Sequence, residues 1–229
     1  AYYPEHNTLS PLRTDGYYDK VDLIYTALLR NAKSLTYRIT DAKTGETYYR
    51  KTVDYVGKSV YNANYDTILP AGSFTSTAID PWYGVDSAGE MLKDDTTVIV
   101  SIDAELDHDG FTAAQNKNAH WEFPVTIDNT PPQILSSTSD GETLTLEVAD
   151  SRYLAYVEVY DVEHMNVFSE PVFSQGYSSK TPGETATVRV NVSSLNKVYV
   201  CLADYGRNEK VVTLDAKTGK LIESSQFEY

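Results

Sequence analysis

Apolar side chains recur at every second position along much of this chain. The alternation runs through Leu35 to Thr40, Thr97 to Ile102, Leu144 to Val148, Tyr156 to Tyr160, Thr187 to Val190 and Lys197 to Val200. These stretches are rich in β-branched and aromatic residues, so a period of two buries one face of each, which predicts half-buried strands. No segment keeps a helical stripe over more than about two turns. The most helix-like stretch, Lys20 to Arg30, is itself rich in β-branched and aromatic residues and reads as a buried strand. Turn chemistry separates the strands: Asp41 to Gly45, Ala71-Gly72, Ser139-Asp140-Gly141, Pro182-Gly183 and Asp215 to Gly219. Strands of this length and spacing predict an all-β chain of antiparallel sandwiches. The pentapeptide Asp-Ala-Lys-Thr-Gly occurs at both 41–45 and 215–219. A shared hairpin geometry accounts for it, since similar turns select similar residues; a domain duplication is the alternative.

The double proline in Ile127-Asp128-Asn129-Thr130-Pro131-Pro132-Gln133 cannot donate backbone hydrogen bonds and holds the chain extended, which marks a linker. Two tandem modules are therefore expected, at 1–128 and 129–229, a division suited to the 229-residue length. The first carries 11 basic and 19 acidic residues, the second 8 and 14, for net charges of −8 and −6. Neither is a charged tail on a neutral domain. A formal net charge of −14 argues against nucleic-acid binding, which needs a basic face to release counterions from phosphates. The 41% hydrophobic content is that of a globular protein. No apolar run approaches the length of a membrane span, and the single cysteine, Cys201, excludes an internal disulfide. Starting at Ala1 without a signal peptide, the sequence reads as part of a longer polypeptide.

Four local patterns follow one another in a recognisable order. Leu9-Ser10-Pro11-Leu12-Arg13-Thr14-Asp15-Gly16-Tyr17-Tyr18-Asp19 resembles a Ser-Pro-Asn-x-Asp-Gly-x-x-Asp opening motif, with one residue more. Trp82-Tyr83-Gly84-Val85-Asp86-Ser87-Ala88-Gly89 resembles Trp-Asp-Gly-x-Asp-x-x-Gly, with Tyr83 in place of the acid. Trp121 to Pro132 resembles a last strand and an Asp-x-x-x-Pro junction. Val200 to Asn208 resembles the strand and Asp-x-Ala-Gly-Asn turn of a following module, with Gly206-Arg207 in place of Ala-Gly. Together with Asn31-Ala32-Lys33, the series is similar to the fibronectin type III-like and bacterial immunoglobulin-like modules downstream of the catalytic domain in cell-envelope subtilisin-like serine proteases of the lactocepin type. The resemblance implies a fibronectin type III-like sandwich followed by an Ig-like one. It also implies an extracellular, cell-surface or cell-wall-associated parent whose protease domain lies N-terminal to this region. The expected function is a non-catalytic spacer and exosite touching protein substrate or cell-wall glycan. A carbohydrate-binding or adhesive surface module of an unrelated extracellular protein is the alternative.

The common serine-hydrolase, zinc-protease and nucleotide-binding signatures are missing from the sequence, whereas a carboxylate pair for glycoside hydrolysis is defined only by its separation in three dimensions. None of His6, His108, His120 and His164 lies in a serine-hydrolase setting, and His-Glu-x-x-His, the P-loop and Gly-x-Gly-x-x-Gly do not occur. Two stretches are candidate Ca2+ ligands. Glu105, Asp107 and Asp109, followed by Gly110, match the first half of a calcium loop, although Lys117 stands where a bidentate glutamate belongs. On a strand the same alternation gives an ordinary solvated acidic edge. Asp15 and Asp19 form the second candidate, with a capped turn as the alternative. Aromatics supply a further one: Trp82, Tyr83, Tyr61 and Tyr65 could stack on a sugar or anchor a partner, or pack within the sheets. Cys201, on an apolar strand, reads as a small buried hydrophobe rather than a nucleophile.

Overall fold

The computed structural model describes residues 6–14, 16, 18–21, 32–56, 60–62, 67–69, 81–106, 118–163 and 169–226. They form fifteen strands: β1 Thr8–Leu9, β2 Ala32–Asp41, β3 Thr47–Val56, β4 Val60–Asn62, β5 Thr67–Leu69, β6 Thr97–Leu106, β7 Ala119–Ile127, β8 Gln133–Ser139, β9 Thr143–Ala149, β10 Leu154–Asp161, β11 Phe173–Gly176, β12 Ala186–Asn191, β13 Lys197–Asp204, β14 Glu209–Asp215 and β15 Leu221–Gln226. All inter-strand pairings described are antiparallel. The protein is all-β and sandwich-like, with no α-helix among the described residues. The six alternating stretches fall within β2, β6, β9, β10, β12 and β13. Most of the stretch from Lys20 to Arg30 lies outside the described residues, as do Ala71 and Gly72.

The chain divides into two compact units, one of residues 1–4 and 20–127, the other of 5–19 and 128–229. The seam after Ile127 is one residue before the boundary read from the sequence. The early segment differs more: the sequence places residues 5–19 in the first module, whereas they cluster with the second unit. The physical reason is local. The His6 ring stacks on Tyr205 at 4.0 Å and meets Tyr153 edge-on at 4.8 Å. Its Nε2 lies 2.7 Å from the Ser179 carbonyl oxygen. Ser10 is buried among groups from the second half of the chain, as described below.

In the first unit β7, β6, β2 and β3 lie side by side in that order, and β4 and β5 make a separate hairpin. Leu35, Tyr37 and Ile39 of β2 and Val98, Val100 and Ala104 of β6 are buried, the inward half of the period-two pattern. In the second unit a five-stranded sheet, β11-β10-β13-β14-β15, shares one apolar core with a three-stranded sheet, β12-β9-β8. Leu144, Leu146 and Val148 supply one side of that core, and Val157, Val159, Val200 and Leu202 the other.

The repeated pentapeptide makes the same hairpin twice, between β2 and β3 and between β14 and β15. Asp41 Oδ1 accepts the amide N–H groups of Lys43 and Thr44 at 2.7 and 2.6 Å, and Asp215 Oδ1 accepts those of Lys217 and Thr218 at 3.1 and 2.8 Å. The Gly45 and Gly219 N–H groups donate back to the Asp41 and Asp215 carbonyls at 2.9 and 2.8 Å. Both glycines adopt positive φ, 76° and 72°, which an L side chain resists.

Candidate functional site

Among the described residues, one buried polar cluster in the second unit brings three carboxylates together. Asp128 sits just before the double proline, Asp150 directly after β9, and Asp204 at the end of β13. β9 and β13 each bring an apolar run to the core of the second unit and release an acid where the run stops, and Asp128 directly follows Ile127 at the end of β7. Asp128, Asp150 and Asp204 are only 1%, 3% and 2% exposed. One oxygen from each lies within 4.8 Å of one from each of the others.

Neighbouring groups donate hydrogen bonds to all three acids. The Asn208 amide N–H donates to Asp204 Oδ1 at 2.8 Å, and its side-chain Nδ2 donates to Asp204 Oδ2 at 2.6 Å. That same Nδ2 lies 2.8 Å from the Asp128 carbonyl oxygen and 3.1 Å from Ser10 Oγ. The Ser10 hydroxyl in turn lies 2.6 Å from the Asp128 carbonyl oxygen and 2.9 Å from that of Gly206. Asp128 Oδ1 accepts the Thr130 N–H at 3.2 Å, which shapes the junction before the prolines. Asp150 Oδ1 accepts the Arg152 N–H at 2.7 Å, whereas its Oδ2 is buried without a hydrogen-bond partner.

Electrostatics follow from this crowding. Burial raises the Asp204 carboxyl to about 8; the Asn208 hydrogen bond opposes the shift, and the negative charges of Asp128 and Asp150 add to it. Burial also raises Asp150, against the amide donors and the nearby Arg152 charge. Sequestered carboxylates this close repel one another, and ionising them together carries a large desolvation cost.

No family model matches the chain, and no curated protein does either.

The residues singled out in the sequence fall in different places. Asp15 lies outside the described residues. Asp19 is buried; its Oδ2 accepts the Gly16 N–H at 3.1 Å in a turn, and its Oδ1 has no hydrogen-bond partner. Glu105 is exposed on β6, 3.7 Å from Lys33 Nζ, while Asp107 and Asp109 lie outside the described residues. β6 is an interior strand between β2 and β7 rather than an acidic edge, and its acids make cross-strand ion pairs. Asp103 pairs with Arg38 of β2 and, at 2.6 Å, with His120 Nδ1 of β7.

Trp82 is 3% exposed, and its indole N–H donates to the Val85 carbonyl at 2.8 Å. This corrects its candidacy as a ligand contact: it pairs through its backbone with Val21 and has no face left for a sugar. Tyr83 is 50% exposed. Tyr61 belongs to β4, and Tyr65 lies outside the described residues.

Both ring nitrogens of His120 face carboxylates, Asp103 through Nδ1 and Glu122 through Nε2 at 3.2 Å. That arrangement stabilises an imidazolium and leaves no ring nitrogen to serve as a base. His108 and His164 lie outside the described residues. The Cys201 thiol is half-buried and raised to about 11 by burial, the opposite of what a nucleophile needs.

Sequence reasoning named Asp128 and Asp204 as motif residues but did not join them, and it passed over Asp150. The available signal was an acid placed immediately after an apolar strand, as in Leu146-Glu147-Val148-Ala149-Asp150 and Leu202-Ala203-Asp204.

Proposed function

We propose that this chain is a non-catalytic accessory region of a secreted cell-envelope subtilisin-like serine protease. Its fibronectin type III-like and Ig-like modules act as a spacer and as an exosite for protein substrate or cell-wall glycan. The observation that carries this reading is the buried hydrogen-bonded cluster of Ser10, Asp128, Asp204 and Asn208. These residues come from three of the four motifs behind the resemblance: the opening, the junction and the closing turn. In the cluster they donate to and accept from one another, as expected of residues whose work is to fix a module. No helix among the described residues is long and apolar enough to cross a membrane. An exosite linked to a catalytic domain acts by raising the effective concentration of a long substrate.

The reading is tested in the intact polypeptide. A subtilisin-type catalytic domain encoded upstream supports it, and a parent without one overturns it. Where the protease is present, deletion of this region is expected to raise KM for a protein substrate several-fold and to leave the turnover of a short peptide unchanged. Equal kinetics on both substrates with and without the region would remove the exosite. Glycan binding by the isolated chain that is lost in Tyr83→Ala would favour a carbohydrate-binding module instead.

A further inference from the structure

We propose that the buried carboxylates of Asp128, Asp150 and Asp204 form a Ca2+ site within the second unit. This inference rests on the geometry of the cluster and stands apart from the accessory-module reading. Two ligands on opposite sides of a Ca2+ ion, each at roughly 2.3–2.6 Å, are about 4.6–5.2 Å apart. Three carboxylate oxygens mutually within 4.8 Å therefore fit in one coordination sphere. The donors are all hard oxygens, the type that Ca2+ selects.

The second observation is the state of Asp150. Its side chain is 3% exposed, one of its oxygens belongs to the cluster, and its Oδ2 has no hydrogen-bond partner. An ionised oxygen left without a partner in a dry interior is costly, and a cation at the centre of the triad removes that cost. The Arg152 amide N–H goes to Oδ1, and Oδ2 is left without a hydrogen bond. Asp204 also remains available. Asn208 uses one acceptor position on each of its oxygens, and a carboxylate oxygen has a second. Second carboxylate oxygens supply further positions of the six to eight that Ca2+ fills. Mg2+ is a poorer fit because it gives up water reluctantly, and this site is closed to solvent.

The ion would tie the junction, the end of β9 and the end of β13 to one another. A ligand that binds only the folded form raises stability with its concentration. For the full chain freed of metal by chelation, equilibrium dialysis against radioactive Ca2+ is expected to find the site filled by one ion. At about 100 times Kd, the melting temperature should rise by roughly 10 °C. NaCl and Mg2+ at matched ionic strength should give a smaller shift. Asp150→Asn keeps the shape and the acceptor for Arg152 but removes the charge; it should weaken binding at least ten-fold and remove the calcium-dependent shift. Glu105→Gln and Asp19→Asn should leave both unchanged.

The proposal is overturned if the wild-type chain binds no Ca2+ at millimolar concentration, or if binding survives Asp150→Asn. Loss in Asp19→Asn with retention in Asp150→Asn would move the site to the opening turn. Where Asp150→Asn does not fold, carboxyl-carbon NMR of the wild type decides. Shifts of the Asp150 and Asp204 resonances saturating at one equivalent support the site, and unmoved resonances overturn it.

Discussion

Gly45 and Gly219 occupy the same position in two copies of one turn, at nearly the same φ, yet their surroundings differ. A Cβ on Gly45 would meet nothing within 4 Å, whereas one on Gly219 would lie 2.9 Å from backbone atoms of Thr138. Gly45→Ala should therefore cost only the left-handed backbone conformation, about 1 kcal/mol. Gly219→Ala adds a clash with main chain that cannot swing aside, and its cost should exceed that of Gly45→Ala by at least ~1 kcal/mol. Urea denaturation of the two variants measures the difference, and equal costs would refute the clash. At the same scale, His120 has its pKa raised, first by the Asp103 hydrogen bond and then by Glu122. A raised folded-state value means that the pairing stabilises the protein at low pH and is lost as pH rises through that value. NMR titration should place the His120 pKa above about 6.5, and Asp103→Asn should lower it.

Among the elements, the turns show how carboxylates set acid stability. Asp41, Asp140 and Asp215 are lowered chiefly by hydrogen bonds from Thr44, Thr143 and Thr218. A depressed carboxylate stabilises the fold above its unfolded pKa and loses that contribution as pH falls through the folded value. The wild type should therefore lose stability below about pH 4, and Asp215→Asn should reduce that loss in unfolding experiments run across the acid range. The strands themselves were legible in the sequence because burying one face of an antiparallel sheet imposes an alternation that survives in one dimension. β2, β6, β9 and β13 show it plainly. The turn pentapeptides were legible because their hydrogen bonds are local. The carboxylate cluster was not, since Asp128, Asp150 and Asp204 each have a sufficient local account and their proximity exists only once the sheets have packed. Trp82 and the acids of β6 stayed open between two readings for the same reason: an aromatic beside a glycine, or alternating acids, look alike whether a sheet covers them or solvent does.

For the whole molecule, charge matters most once the cores are formed. With a formal net charge of −14, the folded chain repels itself. Raising NaCl from 10 to 150 mM shortens the screening length from about 30 to about 8 Å, so the melting temperature of the metal-free chain should rise over that range. A fall would show that attractive ion pairs such as Arg38 with Asp103 outweigh the repulsion. Packing acts against that repulsion: Leu202, fully buried in the core of the second unit, should cost about 2–5 kcal/mol when replaced by Ala.

The hydrogen bond between Ser10 and Asn208 joins residues 198 positions apart. During synthesis Ser10 leaves the ribosome well before Asn208 and must wait for all the residues between them before its partner emerges. A contact that distant is entropically costly to close and forms late. The second unit cannot be completed while it is still being made, and a chain started at residue 11 would leave Asn208 and the Gly206 carbonyl without the hydroxyl they share. The segment around Ser10 is thus a latch, made early and fastened last.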